Sequence, residues 1–558
     1  MRNHLTLACS GATVLARFAP ILLVLCLIGC GGGSSHTSIV TPSGSPNISS
    51  LSPTSGFAGA SVTITGSNFG STPGTVTFSG TKASVVNWAD SSIVAKVPLG
   101  ATTGNVVVTA GGATSNGVNF AVVTLAAGSI ATDYFGMQCG VGFIPNANNC
   151  PNQPGTDTPT WPGSVAQPGL LRLWDSQVAW SWLMTGYNGV AGTYSWAQLD
   201  GYLDDIAAHP PITVNYVFGC VPTFASGGPP GPPGSCGSAG GATPPSDLTA
   251  SGSPTFTQFV TDLVQHCSTA NNCVGNCPPA HAGCTPNLIT GFELWNEANV
   301  SMGPAPRWIG SQTQLYQMVA PAVAIIKANV SNAKIFTPST TGGGASWMTG
   351  WLAAEIGGGP TPISDVYNIH RYLNNNLPES VAPTVSGDLA PNNLTTGWTA
   401  LPWVMGETGY DDIHLPYNCN AGITVTPYST DDCVGQMVRW NLLLFSNGGS
   451  GLYWYYWNTY IGSDPQYATA YKYMMQYLVG GKFNTSNPCA LSSGTTWTCP
   501  FTEGNNGPAA LWVWTTDEAG AHFTVPSGFT DYRDLTGTTT TVSAGQSIAI
   551  SVEPIMLE

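Results

Sequence analysis

Two glutamates offer the chemistry in this sequence. Glu297 closes the run Gly291-Phe-Glu-Leu-Trp-Asn-Glu297, and Glu407 closes Pro402-Trp-Val-Met-Gly-Glu407. Each mainly apolar run reads as a short buried strand, so each carboxylate emerges at a strand exit. Two carboxylates facing one another across a cleft suit glycosidic bond cleavage, in which one protonates the leaving oxygen and the other meets the developing oxocarbenium ion. A spacing of about 5 Å would make the second a nucleophile and preserve the anomeric configuration. A lone strand-end Glu is more often structural, so the pair carries the reading. Glu293 shares a strand face with Trp295 and Glu297 by period-two alternation, and Arg172 is its expected partner. An inward Arg in a chain with so few charges requires a carboxylate beside it.

The elements that must position these residues alternate in type. Eight candidate strands cover 133–139, 170–174, 212–218, 290–296, 333–339, 365–370, 402–407 and 451–457. Amphipathic segments lie between them, with helix-start signals at Ser195-x-x-Gln198, Ser311-x-x-Gln314 and Asp464-Pro465. Phe256, Phe259, Val260, Leu263 and Val264 share one helical face. Eight βα units over residues 128–480 predict a (β/α)8 TIM barrel, in which functional residues gather at the C-terminal strand ends. Strands four and seven then face one another across the mouth. Residues 373–400 read as loop. The Pro/Gly-rich stretch 221–254 after strand three is expected either to wall the mouth or to be a mere surface insertion.

Short alternating runs precede the barrel, at 61–65, 75–78, 93–97 and 105–109, and predict an immunoglobulin-like β-sandwich over 46–122. Further runs at 511–514, 522–525 and 547–552 predict a small C-terminal β-domain over 481–558, with 118–126 as a candidate shared strand.

Several motifs carry a family resemblance. Ile48 to Gly70, with Ser52-Pro53, Gly56, Gly59 and Ile64-Thr-Gly-Ser-Asn-Phe-Gly70, resembles the IPT/TIG fold, which implies a spacer or adhesion module. Leu294-Trp-Asn-Glu297 and Gly406-Glu407 resemble the motifs of the clan A retaining glycoside hydrolases. Arg172-Leu-Trp174-Asp175, Ile369-His370-Arg-Tyr372 and Trp454-Tyr-Tyr-Trp457 are most similar to glycoside hydrolase family 39, with family 5 next. The resemblance implies Glu297 as acid/base, Glu407 as nucleophile and Asn296 on the sugar 2-hydroxyl. It further implies that His370 or Tyr372 holds the nucleophile, and that Arg172, Trp174 and a strand-eight Trp line the sugar site. Trp454 and Trp457 fall on opposite faces of a regular strand, and Trp454 is the favoured one. Ala298 departs from the Pro that commonly follows the acid/base in the clan.

The N-terminus reads as an address. Residues 1–29 resemble a lipoprotein signal ending Leu27-Ile-Gly-Cys30, which implies lipidation of Cys30, with 30–45 as a flexible tether. The competing reading is an ordinary secretory signal. Gly31 after Cys30 favours an outer-membrane or cell-surface lipoprotein over inner-membrane retention, with the periplasmic face also open. Removing Cys9, Cys26 and Cys30 leaves twelve cysteines, clustered as Cys139 with Cys150, Cys220 with Cys236, the quartet Cys267, Cys273, Cys277 and Cys284, Cys419 with Cys433, and Cys489 with Cys499. Local clusters of even number point to disulfides in an oxidising space, with zinc on the quartet as the alternative.

Composition limits the partners. Thirteen Lys plus Arg against 28 Asp plus Glu give −15, which repels nucleic acid phosphates. Charged residues are only 7%, while 18 Trp and 20 Tyr supply rings on which apolar sugar faces pack. No Gly-rich phosphate loop in a βαβ context and no HExxH pair stands in the chain, so no cofactor or metal is expected. The expected partner is an oligo- or polysaccharide bound by a monomer, touching the membrane only through its lipid. An inactive carbohydrate-binding barrel and a transglycosylase are the alternatives.

Overall fold

The computed structural model describes residues 44–558, apart from 57–60, 98–100, 123–128, 139–167, 175, 209–212, 228–238, 303–305, 360, 375, 394–398, 411–429, 456–464 and 504–507. The lipoprotein signal, Cys30 and the tether up to residue 43 lie outside the described residues, as do Cys139, Cys150, Cys236, Cys419, Trp457, Asp175 and Asp464. No described helix is long and apolar enough to cross a membrane.

The first domain is a two-sheet sandwich. Strands Asn47–Ser52, Ser61–Ser67, Ser92–Lys96 and Ser84–Ala89 form one sheet, and the other centres on Gly104–Ala110, flanked by Thr75–Phe78 and Val118–Val122. Alternate residues turn inward, so Val62, Ile64, Val76, Phe78, Ile93, Val106, Val108 and Phe120 close a core of their own. Val118–Val122 pairs with Gly104–Ala110 and with Ser55–Gly56, not with the C-terminal domain.

The barrel strands are β1 (Phe135–Gln138), β2 (Leu170–Leu173), β3 (Thr213–Val217), β4 (Gly291–Glu293), β5 (Lys334–Phe336), β6 (Tyr367–His370), β7 (Trp403–Thr408) and β8 (Leu452–Tyr455). They pair in parallel in the order β5-β4-β3-β2-β1-β8-β7-β6. A parallel bridge from Phe336 to Val366 joins the two ends and closes the ring. Nearly every strand residue is buried, as parallel strands covered on both faces must be.

Helices α1 (Ala197–Ala208), α2 (Pro254–Val264), α3 (Gln312–Asn329), α4 (Ala345–Gly358), α5 (Val385–Asn393), α6 (Thr430–Ser446) and α7 (Pro465–Leu478) follow strands β2 to β8 in turn. The apolar face of α2 is buried as its spacing requires. Ser311 and Gln314 cap α3 reciprocally. Ser195 forms no such box, because its N–H donates to the Leu183 carbonyl at 2.8 Å.

The segment after β6 is helical rather than loop. Pro378–Val381 forms one turn, a 3-10 turn follows at Ala382–Thr384, and α5 continues from Val385. Pro378 and Pro383 sit in the first turns, where no intrahelical N–H bond is lost.

The C-terminal β-domain shares the barrel's core. Strand Ala509–Thr515 pairs with Thr496–Thr502 and Ile555–Leu557. Its Trp512 and Trp514 join the barrel core, while Val513 faces a second layer with Val525, Val542, Ile548 and Ile550. Buried Arg439 of α6 meets Asp432 at 3.3 Å and Glu379 at 3.4 Å, and the Trp514 indole donates to Glu379 at 2.7 Å. Gly435 lets α6 approach, since a Cβ there would lie 2.3 Å from the Val552 carbonyl oxygen.

Three disulfides are described, Cys267–Cys273, Cys277–Cys284 and Cys489–Cys499. The quartet therefore holds two bridges and offers no thiolates to zinc. Cys220 and Cys433 are also disulfide-bonded.

Candidate active site

The C-terminal ends of the strands bring the predicted residues together around one guanidinium. Arg172, wholly buried at the end of β2, grips Glu293 with two bonds of 2.8 Å, from Nε and Nη2. Its Nη1 donates to Glu407 Oε2 at 2.7 Å and to Gln138 at the end of β1, and Nη2 also donates to Asn296 Oδ1 at 2.7 Å. The expected Arg172–Glu293 pairing is present. With every edge turned onto protein and no exposure, Arg172 orients its neighbours from below and is not placed to touch sugar.

Alternation along β4 breaks after Glu293. Trp295, expected on the face of Glu293, packs edge-on against Trp308 at 5.2 Å and donates to the Arg307 carbonyl. Asn296 faces Arg172 instead. Glu297 takes a left-handed φ of 47°, an unusual conformation for a residue other than glycine. On β7, a Cβ at Gly406 would lie 2.0 Å from Asn368 Oδ1, so only glycine lets β7 close on β6 just before Glu407.

The two glutamates converge. His370 Nδ1 lies 3.2 Å from Glu297 Oε1 and 3.8 Å from Glu407 Oε2. Ligand atoms of Glu297, His370 and Glu407 all fall within 4.8 Å of one another. The Tyr372 hydroxyl donates to Glu407 Oε1 at 2.5 Å. Of the two residues expected to hold Glu407, Tyr372 does so directly, while His370 leans toward Glu297. The cluster has the donor types of a cation site, yet Arg172 already sets a positive charge against Glu407 and would repel a metal ion there.

Burial pushes the Glu407 carboxyl above the usual carboxylate range, against the pull of His370 and Arg172 and with a push from Glu297. Burial acts in the same direction on Glu297. There the hydrogen bond and charge of His370, then Arg307 and Arg172, overcome it and hold the carboxyl below its ordinary value. At this spacing the two titrate as a pair.

The remaining predicted residues lie nearby in different settings. Trp174 is nearly buried, with the Arg307 guanidinium 5.9 Å above its ring. Trp454 is fully buried edge-on to Tyr410 at 5.0 Å, so it offers no open face to a sugar in this conformation. Two buried donors, the Asn296 amide Nδ2 and the Trp454 indole N–H, have no hydrogen-bond partner among the described residues. Such orphans call for an explanation, and a bound hydroxyl is one. The stretch after β3 is tied at its ends, Val221 to Gly241 and Ser226 to Pro245, and leaves Phe224 exposed.

Sequence reasoning missed Gln138, Arg307 and Ser339. Arg307 Nε stands 3.8 Å from Glu297 Oε2, and Ser339 accepts the Glu297 N–H at 2.9 Å. A polar residue closing an apolar strand was a usable signal for Gln138. Arg307 lies in a connecting segment and had none, while Ser339 closed the expected strand 333–339 and offered the same signal, although the observed strand ends at Phe336.

Comparison with known proteins fixes the first domain. Residues 46–122 match the IPT/TIG domain. A cyclomaltodextrin glucanotransferase from Thermoanaerobacterium thermosulfurigenes is 41% identical over 83 residues, which is 14% of this chain and 12% of that protein. The chain thus spans about an eighth of that relative, and the likeness carries no activity across. Over most of the chain, a family 39 glycoside hydrolase from Bacteroides cellulosilyticus WH2 superposes with a TM-score of 0.50 at 16% identity, covering 92% of this chain and 99% of that one. That shows a shared multidomain fold. A glucosidase from Croceicoccus marinus aligns at a TM-score of 0.43 and 13% identity over 76% of this chain and 83% of its own.

Proposed function

We propose that this chain is a retaining glycoside hydrolase that cleaves β-linked glycans, with Glu407 as nucleophile and Glu297 as acid/base. One observation carries the reading: carboxylate oxygens of Glu297 and Glu407, at the ends of opposite strands, come within 4.8 Å of each other. Retaining enzymes hold their carboxyl groups about 5–5.5 Å apart, whereas inverting ones leave about 6.5–9.5 Å for a water.

In the first step a Glu407 oxygen bonds to the anomeric carbon, the glycosidic C–O bond breaks, and the Glu297 proton goes to the leaving oxygen. In the second, water attacks the glycosyl ester, Glu297 takes its proton, and Glu407 leaves as carboxylate. The assignment of roles stands on the donors: Arg172 and Tyr372 both donate to Glu407, which favours its ionised form and fixes its direction. In the described conformation the titration order runs the other way, with Glu297 held down chiefly by His370 and Glu407 raised by burial. A sugar entering between Glu297 and His370 removes that contact and leaves the donors on Glu407 in place. The Asn296 amide is then available to the sugar 2-hydroxyl.

The reading includes export as a lipoprotein anchored through Cys30, and the disulfides fit an oxidising compartment. The test is reducing-end release by residues 46–558 from a panel of β-linked polysaccharides and aryl β-glycosides, with the product anomer followed by NMR. Release of the β-anomer by the parent and none by Glu407→Gln is expected. An α-anomer as first product, or undiminished release by the variant, would overturn the mechanism.

A further inference from the structure

Glu297 has a strained backbone and an unusual tether. Its left-handed φ of 47° is a conformation that L-residues other than Asn and Asp rarely adopt, so neighbouring contacts must hold it. Past β5 the chain runs on beside the segment after β4. Leu294 N–H donates to Phe336 O at 3.1 Å, and Ser339 N–H donates to Trp295 O at 2.8 Å. At Glu297 the turned backbone aims its N–H at a side chain, the buried Ser339 hydroxyl, at 2.9 Å. Ala298 N–H then donates to Ser339 O at 3.0 Å. Asn299 and Thr341 close the clamp reciprocally, at 3.0 and 3.2 Å. A proline at 298 has no N–H to give Ser339, and it would bias residue 297 toward extended geometry. The departure from the clan's usual proline is therefore part of the clamp.

We propose that Ser339 is a positioning residue for the acid/base, holding the left-handed turn that aims the Glu297 carboxyl into the cleft between the ends of β4 and β7. The inference rests on the acid/base reading of Glu297. Without the hydroxyl, the Glu297 N–H loses its only described acceptor, the turn relaxes, and the carboxyl leaves its place 3.2 Å from His370. Protonation of the leaving oxygen suffers, while attack by Glu407 does not.

The leaving group reads out that difference. A 2,4-dinitrophenolate departs without a proton, whereas an alkoxide needs one. The ratio kcat/KM reports the first irreversible step, in which the glycosidic bond breaks. Ser339→Ala and the parent are compared on the 2,4-dinitrophenyl and methyl β-glycosides of whichever sugar the panel releases. General acid catalysis contributes roughly 10²–10⁴-fold, so partial misplacement is expected to lower kcat/KM about 10- to 100-fold on the methyl glycoside and under about threefold on the dinitrophenyl glycoside. The second substrate doubles as the folding control. Ala298→Pro breaks the clamp from the other strand and is expected to show the same dependence. Equal losses on both substrates, or no loss on either, overturn the positioning role. A parent inactive on both overturns the glycosidase reading and this inference with it.

Discussion

Replacing Glu293 by Gln separates structural from reacting carboxylates. Arg172 and Glu293 are both wholly buried, and two bonds of 2.8 Å join them. Breaking such a pair by removing one partner costs about 3–5 kcal/mol, because the surviving charge is left in a poor solvent. Gln keeps the shape and one acceptor but turns an amide NH2 toward a guanidinium that can only donate. A loss near the lower end, about 3 kcal/mol, is expected. A native domain commonly has 5–15 kcal/mol, so the variant folds. Arg172, no longer fixed, also stops aligning Glu407 and Asn296, and misplacement of about 1 Å at a reacting group can cost roughly 10²-fold. Glu293→Gln is therefore expected to lower both stability and kcat/KM, the latter by about 10- to 100-fold. Glu407→Gln, in contrast, abolishes turnover with stability changed by about 1 kcal/mol or less, since burial already works against its carboxylate. Urea melts followed by tryptophan fluorescence report the barrel and C-terminal domain, because Trp88 alone of the 18 tryptophans lies in the IPT/TIG domain. An unchanged midpoint for Glu293→Gln, or a loss of turnover as complete as that of Glu407→Gln, would refute the structural role.

Two further outcomes are expected. Tyr372→Phe removes one donor to Glu407, a bond to a charged group worth about 1.5–3 kcal/mol, and so lowers kcat about 10- to 100-fold with KM little changed; a raised KM at intact kcat would place Tyr372 on the sugar instead. Glu355 of α4, pushed up to about 7 by burial and only partly eased by its bond from Ser364, favours the folded state while protonated. That stability is fully present below about pH 4.5 and is lost as pH rises through 7, by up to about 3 kcal/mol at about 1.4 kcal/mol per unit. Glu355→Gln is expected to be the more stable protein at pH 8 and no better at pH 4.5, by urea midpoint, and parallel pH profiles would sink the idea.

The barrel was legible because parallel strands buried on both faces are short apolar runs, and the polar residues that close them are conspicuous. Glu407 was found that way, Glu293 by its place on the same strand and Arg172 as an inward cation needing a carboxylate, whereas His370 entered through the motif resemblance. What escaped depends on tertiary placement. No local pattern tells that the prolines at 378 and 383 open helices, or that Ser195 gives its N–H to Leu183 instead of Gln198. The face of Trp295 was misjudged because period two holds only while the chain stays extended, and it ceases to be so before Glu297. Trp454 was correctly placed on β8, but sequence spacing carries no information on whether Tyr410 covers its ring.

The charges of the cleft form a near-closed set, and that set bears on mechanism. Glu293 is matched by the two-pronged grip of Arg172, which has one further bond to spare for Glu407. Arg307 stands only at 3.8 Å from Glu297 and is partly exposed, so solvent weakens its compensation. Glu297, Glu407 and His370 are then left in mutual contact with less than two full positive charges between the carboxylates. Two carboxylates so close do not both ionise freely, and one proton held between them relieves the repulsion. Double displacement requires that same arrangement, one carboxyl protonated and its neighbour ionised. On the proposed mechanism, the Arg172 and Tyr372 donors oppose the burial that raises Glu407, and a sugar that separated Glu297 from His370 would release the carboxyl that His370 now holds down. On the same mechanism a closer cation beside Glu297 would hold the proposed acid ionised, and Arg307 stands off from Glu297 at 3.8 Å where Arg172 closes to 2.7 Å on Glu407.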